Sequence, residues 1–437
     1  MSATTLCTPT PVPPLPTAVT GRAPAGRRAD TTRVRLPLSL VVLLGALTAV
    51  PSLSLDFYLP ALPTIARETG SGQAAAQLTI TGCLLGFAVG LLVAGPLSDA
   101  HGRRRPLLVG VAVYSVAGLA CAFAPTIGAL IVLRVLQGAA GAFGMVTGNA
   151  IVRDRASGTA AAKLFSVLML ANGVAPILGP VLGAQVLLAT DWRGLFVVLA
   201  VLGTLVFAAA WRWLPETLSV DRRRAASIGG AGRTFAFLLH DRPLVGYTLG
   251  RAFGASALLA YVAASPFVFQ DVYGLSAQGF AVVFGVNSAG LVLMGQLSGR
   301  LVGRFGSAAL LRTGSVVSAG GSLALLLALA AHAPLPLVEV GVFAVVAGMG
   351  MVFPNSTALG LTRHGACAGA ATALMGVAQF LAQAVASPLT GLGSGASAMP
   401  MAVVVFVLCV AGLVALLTLT RERVTAPVRV DPVAQAV

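Results

Sequence analysis

The chain has 437 residues, 57% of them hydrophobic and only 9% charged, with a formal net charge of +15. An ordinary soluble domain carries roughly 25% charged residues, so this composition excludes one. A membrane β-barrel is excluded too, because the apolar residues come in unbroken runs of about twenty, enough to cross a hydrocarbon core of about 30 Å as helices, rather than in short alternating segments.

Residues 1–36 are rich in Pro, Thr, Ala and Arg without an apolar core, and they read as a disordered cytoplasmic tail. Arg27, Arg28, Arg33 and Arg35 resemble the start of a secretory signal. The apolar run behind them is too long for one and has no small-residue cleavage site, which predicts that the first span is retained. About twelve spans follow. Six fall near 37–60, 74–98, 107–125, 127–152, 161–189 and 194–214, and six near 243–270, 277–299, 307–331, 334–361, 367–391 and 398–420. The fold class is therefore an all-α polytopic membrane protein with six-helix halves at 37–214 and 243–420. A polar cytoplasmic linker, 215–242, with Arg222, Arg223, Arg224 and Arg233, joins them, and a short tail, 421–437, ends the chain.

Loop charge tests the span count. One set of loops carries Arg103 to Arg105, then Arg153, Arg155 and Lys163, then the linker arginines, then Arg300, Arg304 and Arg312, then Arg363. The opposite set carries Arg67 with Glu68, Asp191 with Arg193, Asp271 and His332. The positive-inside rule places the first set and both termini in the cytoplasm, which requires an even number of spans. Arginines in short loops, without interleaved aromatics on one face, argue against a nucleic-acid partner; the partner they imply is a lipid bilayer.

The five cysteines, Cys7, Cys83, Cys121, Cys367 and Cys409, have no metal or redox spacing and read as small buried hydrophobes. No zinc-protease motif occurs, and His101, His240, His332 and His364 all fall near surfaces, so neither a metal nor an intramembrane enzyme is favoured. A P-loop needs a lysine after glycine, and the only lysine, Lys163, follows alanine, which excludes an ATP-driven pump within this chain. No cofactor is implied.

Ionisable residues inside spans are costly and point to function. Asp56 lies in the outer part of the first span and Arg134 in the fourth. Counting from the basic residues that bracket each span puts both about 7.5 Å outward from the midplane, at 1.5 Å per residue, so the two could meet at one depth. Two readings follow: Asp56 binds and releases a proton while Arg134 sets its affinity, or the two form a static ion pair. In the fifth span Pro176, Gly179, Pro180 and Gly183 predict a kinked helix that a neighbour can approach closely. Asn287, Gln379, Gln383, Asn355 and Arg251 are polar at depth, with Phe57, Tyr58 and Tyr261 as aromatic candidates for a cavity wall. Interhelical hydrogen bonding explains a buried Asn or Gln as well as substrate contact does. Glu339, at the start of the tenth span, reads as a solvated helix end.

The turn Gly95-Pro-Leu-Ser-Asp99-Ala-His-Gly102-Arg103-Arg104-Arg105 follows the second span. Its glycines suit close backbone approach and a tight reversal, and Asp99 calls for a nearby cation. A related outline, Gly295 to Gly306, follows the second span of the other half, so the halves are a parallel repeat. Read alone, the turn is a surface hairpin whose charge orients the chain. Its pattern of glycine, acid, glycine and two arginines also resembles the signature loop of the major facilitator superfamily. That resemblance implies a latch through Gly95, Asp99, Gly102, Arg103 and Arg104 that controls alternating access. Arg134, Gln137 and Gly138 match the family's proton-coupling motif, and Gly179, Pro180 and Gly183 its drug-antiporter motif. Asp56 to Pro63, and Ser265 to Phe269 followed by Tyr273 to Ser276, resemble the bicyclomycin/chloramphenicol-resistance exporters. The resemblance implies a monomeric antiporter that exchanges protons for a small-molecule drug, with Phe57, Tyr58, Gln137, Tyr261, Asn287, Gln379 and Gln383 as candidate cavity residues. The alternative on the same fold is a symporter or facilitator for a nutrient.

Overall fold

Runs of about twenty apolar residues can satisfy their backbone polar groups away from water only by coiling, and each such run forms a helix. The computed structural model describes residues 38–156, 158–223, 236–362, 368–391 and 397–420. Both tails, Cys7, Arg224, Arg233, Arg363, His364 and Cys367 lie outside the described residues. The elements are α1 (Leu38–Asp56), a short α2 (Leu62–Glu68), α3 (Gln73–His101), α4 (Arg104–Ala122), α5 (Ile127–Arg155), α6 (Gly158–Val186), α7 (Trp192–Trp213), α8 (Arg242–Phe267), α9 (Ala277–Phe305), α10 (Ser307–Ala330), α11 (Leu335–Thr362), α12 (Ala368–Leu389) and α13 (Met399–Leu419). All but α2 coincide with expected spans.

Two differences have local causes. The first span stops at Asp56 instead of running to 60, because Pro60 and Pro63 lack the N–H an α-helix would use; each instead starts a new segment, first the turn Leu59–Ala61 and then α2. α3, α5 and α9 run several residues past the expected ends. Each has 29 residues, about 43 Å at 1.5 Å per residue, so their basic ends project beyond a core of about 30 Å.

The first seven helices pack chiefly on one another, α3 on α5, α4 on α5 and α7, α1 on α6; the last six do likewise, α10 on α11 and α8 on α12 and α13. α3 meets α12 and α6 meets α9 across the halves. The repeat is visible in the backbone: Gly102 (φ 89°) and Gly306 (φ 77°) each close a 29-residue helix in a conformation that side chains with a β carbon avoid. Val89, Val109, Val116, Phe123, Val132, Leu293 and Val340 are exposed on the outer surface, as a lipid-facing belt requires. Cys83, Cys121 and Cys409 are buried free thiols, as expected.

The halves are tied together at the end opposite Arg103 to Arg105. There Gln77 Nε2 donates to the Ala263 carbonyl at 3.2 Å, Thr390 Oγ1 to Gln77 Oε1 at 3.1 Å and Gln270 Nε2 to the Pro60 carbonyl at 3.1 Å, and Arg67 pairs with Asp271 at 3.2 Å. One apolar cluster backs these bonds, with Tyr58, Trp192 and Phe196 from the first half and Tyr261, Phe269 and Phe280 from the second.

Candidate functional site

Asp56 ends α1 half-buried and, among the described residues, has no hydrogen-bond or ion-pair partner. α6 lies directly against it. A β carbon on Gly179 would fall 2.8 Å from that of Asp56, and one on Gly183 would strike the Phe57 carbonyl, so these glycines let two backbones touch. Pro180 has no N–H, which frees the Pro176 carbonyl four residues back; Ser288 of α9 points its hydroxyl at that carbonyl at 3.5 Å. The four residues of the antiporter pattern therefore sit where α6 touches α1 on one side and the second half on the other.

Arg134 is fully buried, yet it does not meet Asp56, which corrects the expected pairing. Its Nη2 donates to the Ser54 carbonyl at 3.1 Å and its Nη1 to Gln137 Oε1 at 2.7 Å. The guanidinium lies 4.5 Å from the centre of the Tyr58 ring and 5.8 Å from that of Phe196, so ring faces supply the rest of its stabilisation. The expectation of a shared level was sound, since Arg134 contacts a residue two before Asp56. Rotation separates them: successive helical residues turn by about 100°, so Ser54 faces α5 while Asp56 points away toward α6.

At the turn, Arg103 is 9% exposed and pairs with Asp99, as the resemblance implied. It also donates to Ser98 Oγ at 3.0 Å and, through Nε, to Asp154 Oδ2 at 3.0 Å. Burial disfavours the charge, but the bonds to Asp154 and Asp99 outweigh it and hold the guanidinium above its ordinary pKa. Arg104 Nη2 donates to the Trp211 carbonyl at 2.7 Å. Glu216, beyond α7, accepts the backbone N–H groups of Arg103 (2.8 Å), Arg104 (3.2 Å), Thr217 (2.9 Å) and Leu218 (3.0 Å). Gly102 is required twice over, by its positive φ and because a β carbon there would lie 2.5 Å from Glu216 Oε2. Gly95 corrects its expectation: nothing lies within 4 Å of where its β carbon would be, so in this conformation it serves no close approach. These bonds of Arg103, Arg104 and Glu216 join the turn to the first half and to the start of the linker, and none of them reaches the second half.

Sequence reading missed Asp154 and Glu216. Asp154 was hidden between Arg153 and Arg155, and Glu216 stands between Arg212 and the cluster Arg222 to Arg224, with Asp221 close by; an acid among basic residues beyond the sixth span was the available signal. Partial burial opposes the Glu216 charge, but the four backbone N–H bonds hold its carboxyl below the usual carboxylate range. A lowered folded-state pKa adds stability above the unfolded value of about 4.3, and that stability is lost as pH falls through the folded value. Glu216→Gln is therefore expected to lower the melting temperature at neutral pH, with the difference from wild type shrinking in buffers acid enough to protonate Glu216. A difference independent of pH would show that the carboxylate is not what holds the turn.

The seven candidate cavity residues are engaged with protein groups, and in this conformation they do not line the clefts found. Tyr58 hydrogen-bonds Thr79 at 2.9 Å, Phe57 lies under Gly183, and Gln137 holds Arg134. Asn287 Nδ2 donates to the Tyr261 hydroxyl at 3.1 Å, Gln379 Oε1 accepts from Arg251 at 3.0 Å, and Gln383 Nε2 donates to the Ala255 carbonyl at 3.1 Å. The clefts of about 650 Å³, beside Phe123 and Arg193, and about 390 Å³, beside His101 and Arg105, lie elsewhere. With the halves closed on one face, buried polar groups have bonded to one another. Arg251 is likewise satisfied without a carboxylate, through Gln379, Thr357 Oγ1 at 2.7 Å and the Phe353 carbonyl at 3.1 Å. Glu339 overturns its expectation as a solvated helix end: both carboxyl oxygens are buried.

Two repeated sets of long apolar helices, tied at one face and carrying charge both inside and on the connecting turn, define a multi-pass membrane transporter rather than an enzyme. Residues 42–387 match the Major Facilitator Superfamily, and the chain belongs to it. An uncharacterized MFS-type transporter of Bacillus subtilis, YdgK, is 37% identical over 389 residues, 89% of this chain and 96% of its own. A bicyclomycin resistance protein homolog of Haemophilus influenzae is 27% identical over 83% of this chain and 91% of its own, and a chloramphenicol resistance protein of Pseudomonas aeruginosa 32% over 63% and 64%. In fold, the chain resembles a bacterial homolog of the human lysosomal transporter Spinster in an inward-facing conformation (TM-score 0.67, 17% identity, 87% of this chain and 96% of that one). It is similar also to the partially occluded, inward-open xylose transporter XylE from E. coli (0.66, 14%, 87% and 96%). With its apolar helices and bacterial relatives, the protein is a multi-pass transporter of the plasma membrane.

Proposed function

We propose that this transporter exports amphipathic drug-like molecules, such as chloramphenicol- or bicyclomycin-like antibiotics, in exchange for protons entering the cell. Asp56 carries the reading: a carboxyl inside the bundle with no cation beside it among the described residues, pressed against Gly179 of α6. An unpaired charge in such a place costs several kcal/mol, and binding a proton removes that cost. Gain or loss of the proton acts on the α1–α6 contact, and the Pro176 carbonyl facing Ser288 passes the change to the second half. Arg134 fixes the end of α1 through Ser54 and sets the local field. Asp99 and Arg103 form a latch on the cytoplasmic face, where the basic loops and both termini lie. The relatives named for resistance to bicyclomycin and chloramphenicol support a drug substrate.

Everted vesicles from an efflux-deficient bacterial host expressing the chain test this, with ethidium as the probe. An inside-acid gradient of one pH unit is expected to drive ethidium in, up to roughly tenfold for one-for-one exchange. Uptake that instead needs ethidium and proton gradients in the same direction would mean symport.

A further inference from the structure

The second half holds a buried acid that this mechanism leaves unused. Glu339 lies just over one turn into α11, and among the described residues neither carboxyl oxygen has a hydrogen-bond partner. The Asn287 amide of α9 lies beside it and is fully buried. That amide spends its Nδ2 on the Tyr261 hydroxyl, leaving Oδ1 without a partner. Tyr261 of α8 faces the same carboxyl, and its ring stacks on Phe284 at 5.9 Å, closing the site on that side.

Among the described residues the remaining surroundings bring no charge to Glu339: Arg251 of α8 is spent at Phe353 and Thr357, farther along α11. α10, which packs along α11, presents only Ser, Ala, Gly and Leu from Ser318 to Leu329; α9 carries none from Val282 to Val292, and α12 contributes the uncharged Gln379 and Gln383. Tyr261 is the titratable side chain that faces Glu339.

The buried carboxyl and the Asn287 amide thus lie together, and in this conformation neither the carboxyl oxygens nor Asn287 Oδ1 has a well-formed hydrogen bond among the described residues. A carboxylate only accepts, whereas a protonated carboxyl carries one O–H. We propose that Glu339, with Asn287 and Tyr261, forms a second proton-binding site, in the second half and separate from Asp56. With the proton bound, the Glu339 hydroxyl donates to Asn287 Oδ1 while Nδ2 keeps its bond to Tyr261. When the proton leaves, the amide turns over: Nδ2 donates to the carboxylate and Oδ1 accepts from the Tyr261 hydroxyl. The cluster has two bonding patterns that differ by one proton, and rotation of one buried amide connects them. The use of this proton in transport rests on the exchange reading above; its binding does not.

Infrared difference spectra of the purified transporter in lipid, taken between mildly acidic and alkaline buffer, test the site without any substrate. Wild type is expected to show two bands from protonated carboxyls that disappear in alkali. Asp56→Asn should remove one and Glu339→Gln the other, and Tyr261→Phe should shift the Glu339 band by removing the hydroxyl that holds the Asn287 amide. Spectra of Glu339→Gln identical to wild type overturn the proposal. Should Glu339→Gln not yield folded protein, Tyr261→Phe decides in its place, and an unshifted band overturns the site. Spectra in which only the Asp56 band is present reject this site and leave the exchange reading standing. A Glu339 band without an Asp56 band supports the site and counts against Asp56 as the coupling carboxyl.

Discussion

Asp56→Asn is expected to abolish proton-driven export while leaving the transporter folded: the roughly tenfold ethidium accumulation that a one-unit gradient can support in everted vesicles falls to unity. The separation of the two effects comes from the geometry. Asp56 makes no ion pair or hydrogen bond among the described residues, so an isosteric amide removes no partner and leaves the contact with Gly179 intact. What it removes is the ability to gain and lose a proton. Ethidium binding measured by fluorescence should persist in the variant. Normal pH-driven uptake by Asp56→Asn would take Asp56 out of the mechanism. Arg134→Ala is a different experiment, because it also strips the Ser54 carbonyl and Gln137 of their donor in a fully buried place, and a loss there mixes coupling with stability.

Gly138→Val is expected to prevent folding. A β carbon at Gly138 would be driven into the Cys83 carbonyl, and Gly86 on the facing helix is in the same position against the Val135 carbonyl, so the backbones of α3 and α5 touch at two levels. A side chain cannot be accommodated by turning a flexible neighbour aside; the helices must separate. Overpacking of this kind costs about 3 kcal/mol or more, against a total stability of about 5–15 kcal/mol. Gel filtration in detergent should show aggregated or absent protein. Gly95→Ala, on the facing helix α3 but with open space around it, should elute and melt like wild type. A monodisperse Gly138→Val with the wild-type melting temperature would show that the α3–α5 contact is not as described.

These variants divide according to how far apart in sequence the interacting residues are. Asp99 and Arg103 lie four residues apart, one helical turn, and their pairing was legible because nothing distant is needed to bring them together. The same holds for Pro60 and Pro63 beside the break after Asp56, although the expected span ran past it. Asp154 and Glu216 were not legible as partners of the same turn, since they reach it from 51 and 113 residues away. Arg134 and Asp56 were placed at the right level and the wrong angle. Depth follows from counting residues between charged ends, but the direction a side chain faces depends on where each helix sits against its neighbours.

The sequence by itself determined the spans, their number and the repeat of the two halves, because a bilayer core allows only helices and demands about twenty apolar residues for each. It also marked the turns Gly95 to Arg105 and Gly295 to Gly306 as related, whereas the structure showed that Gly102 and Gly306 close the matching helices. Tertiary structure alone decided that Asp56 lies against α6 instead of against Arg134, that Arg134 spends its charge on Ser54, Gln137 and two rings, and that Glu339 is buried beside Asn287 instead of solvated. Each of those outcomes depends on which helix faces which, and that is set by packing between segments up to hundreds of residues apart, where composition and periodicity carry no signal.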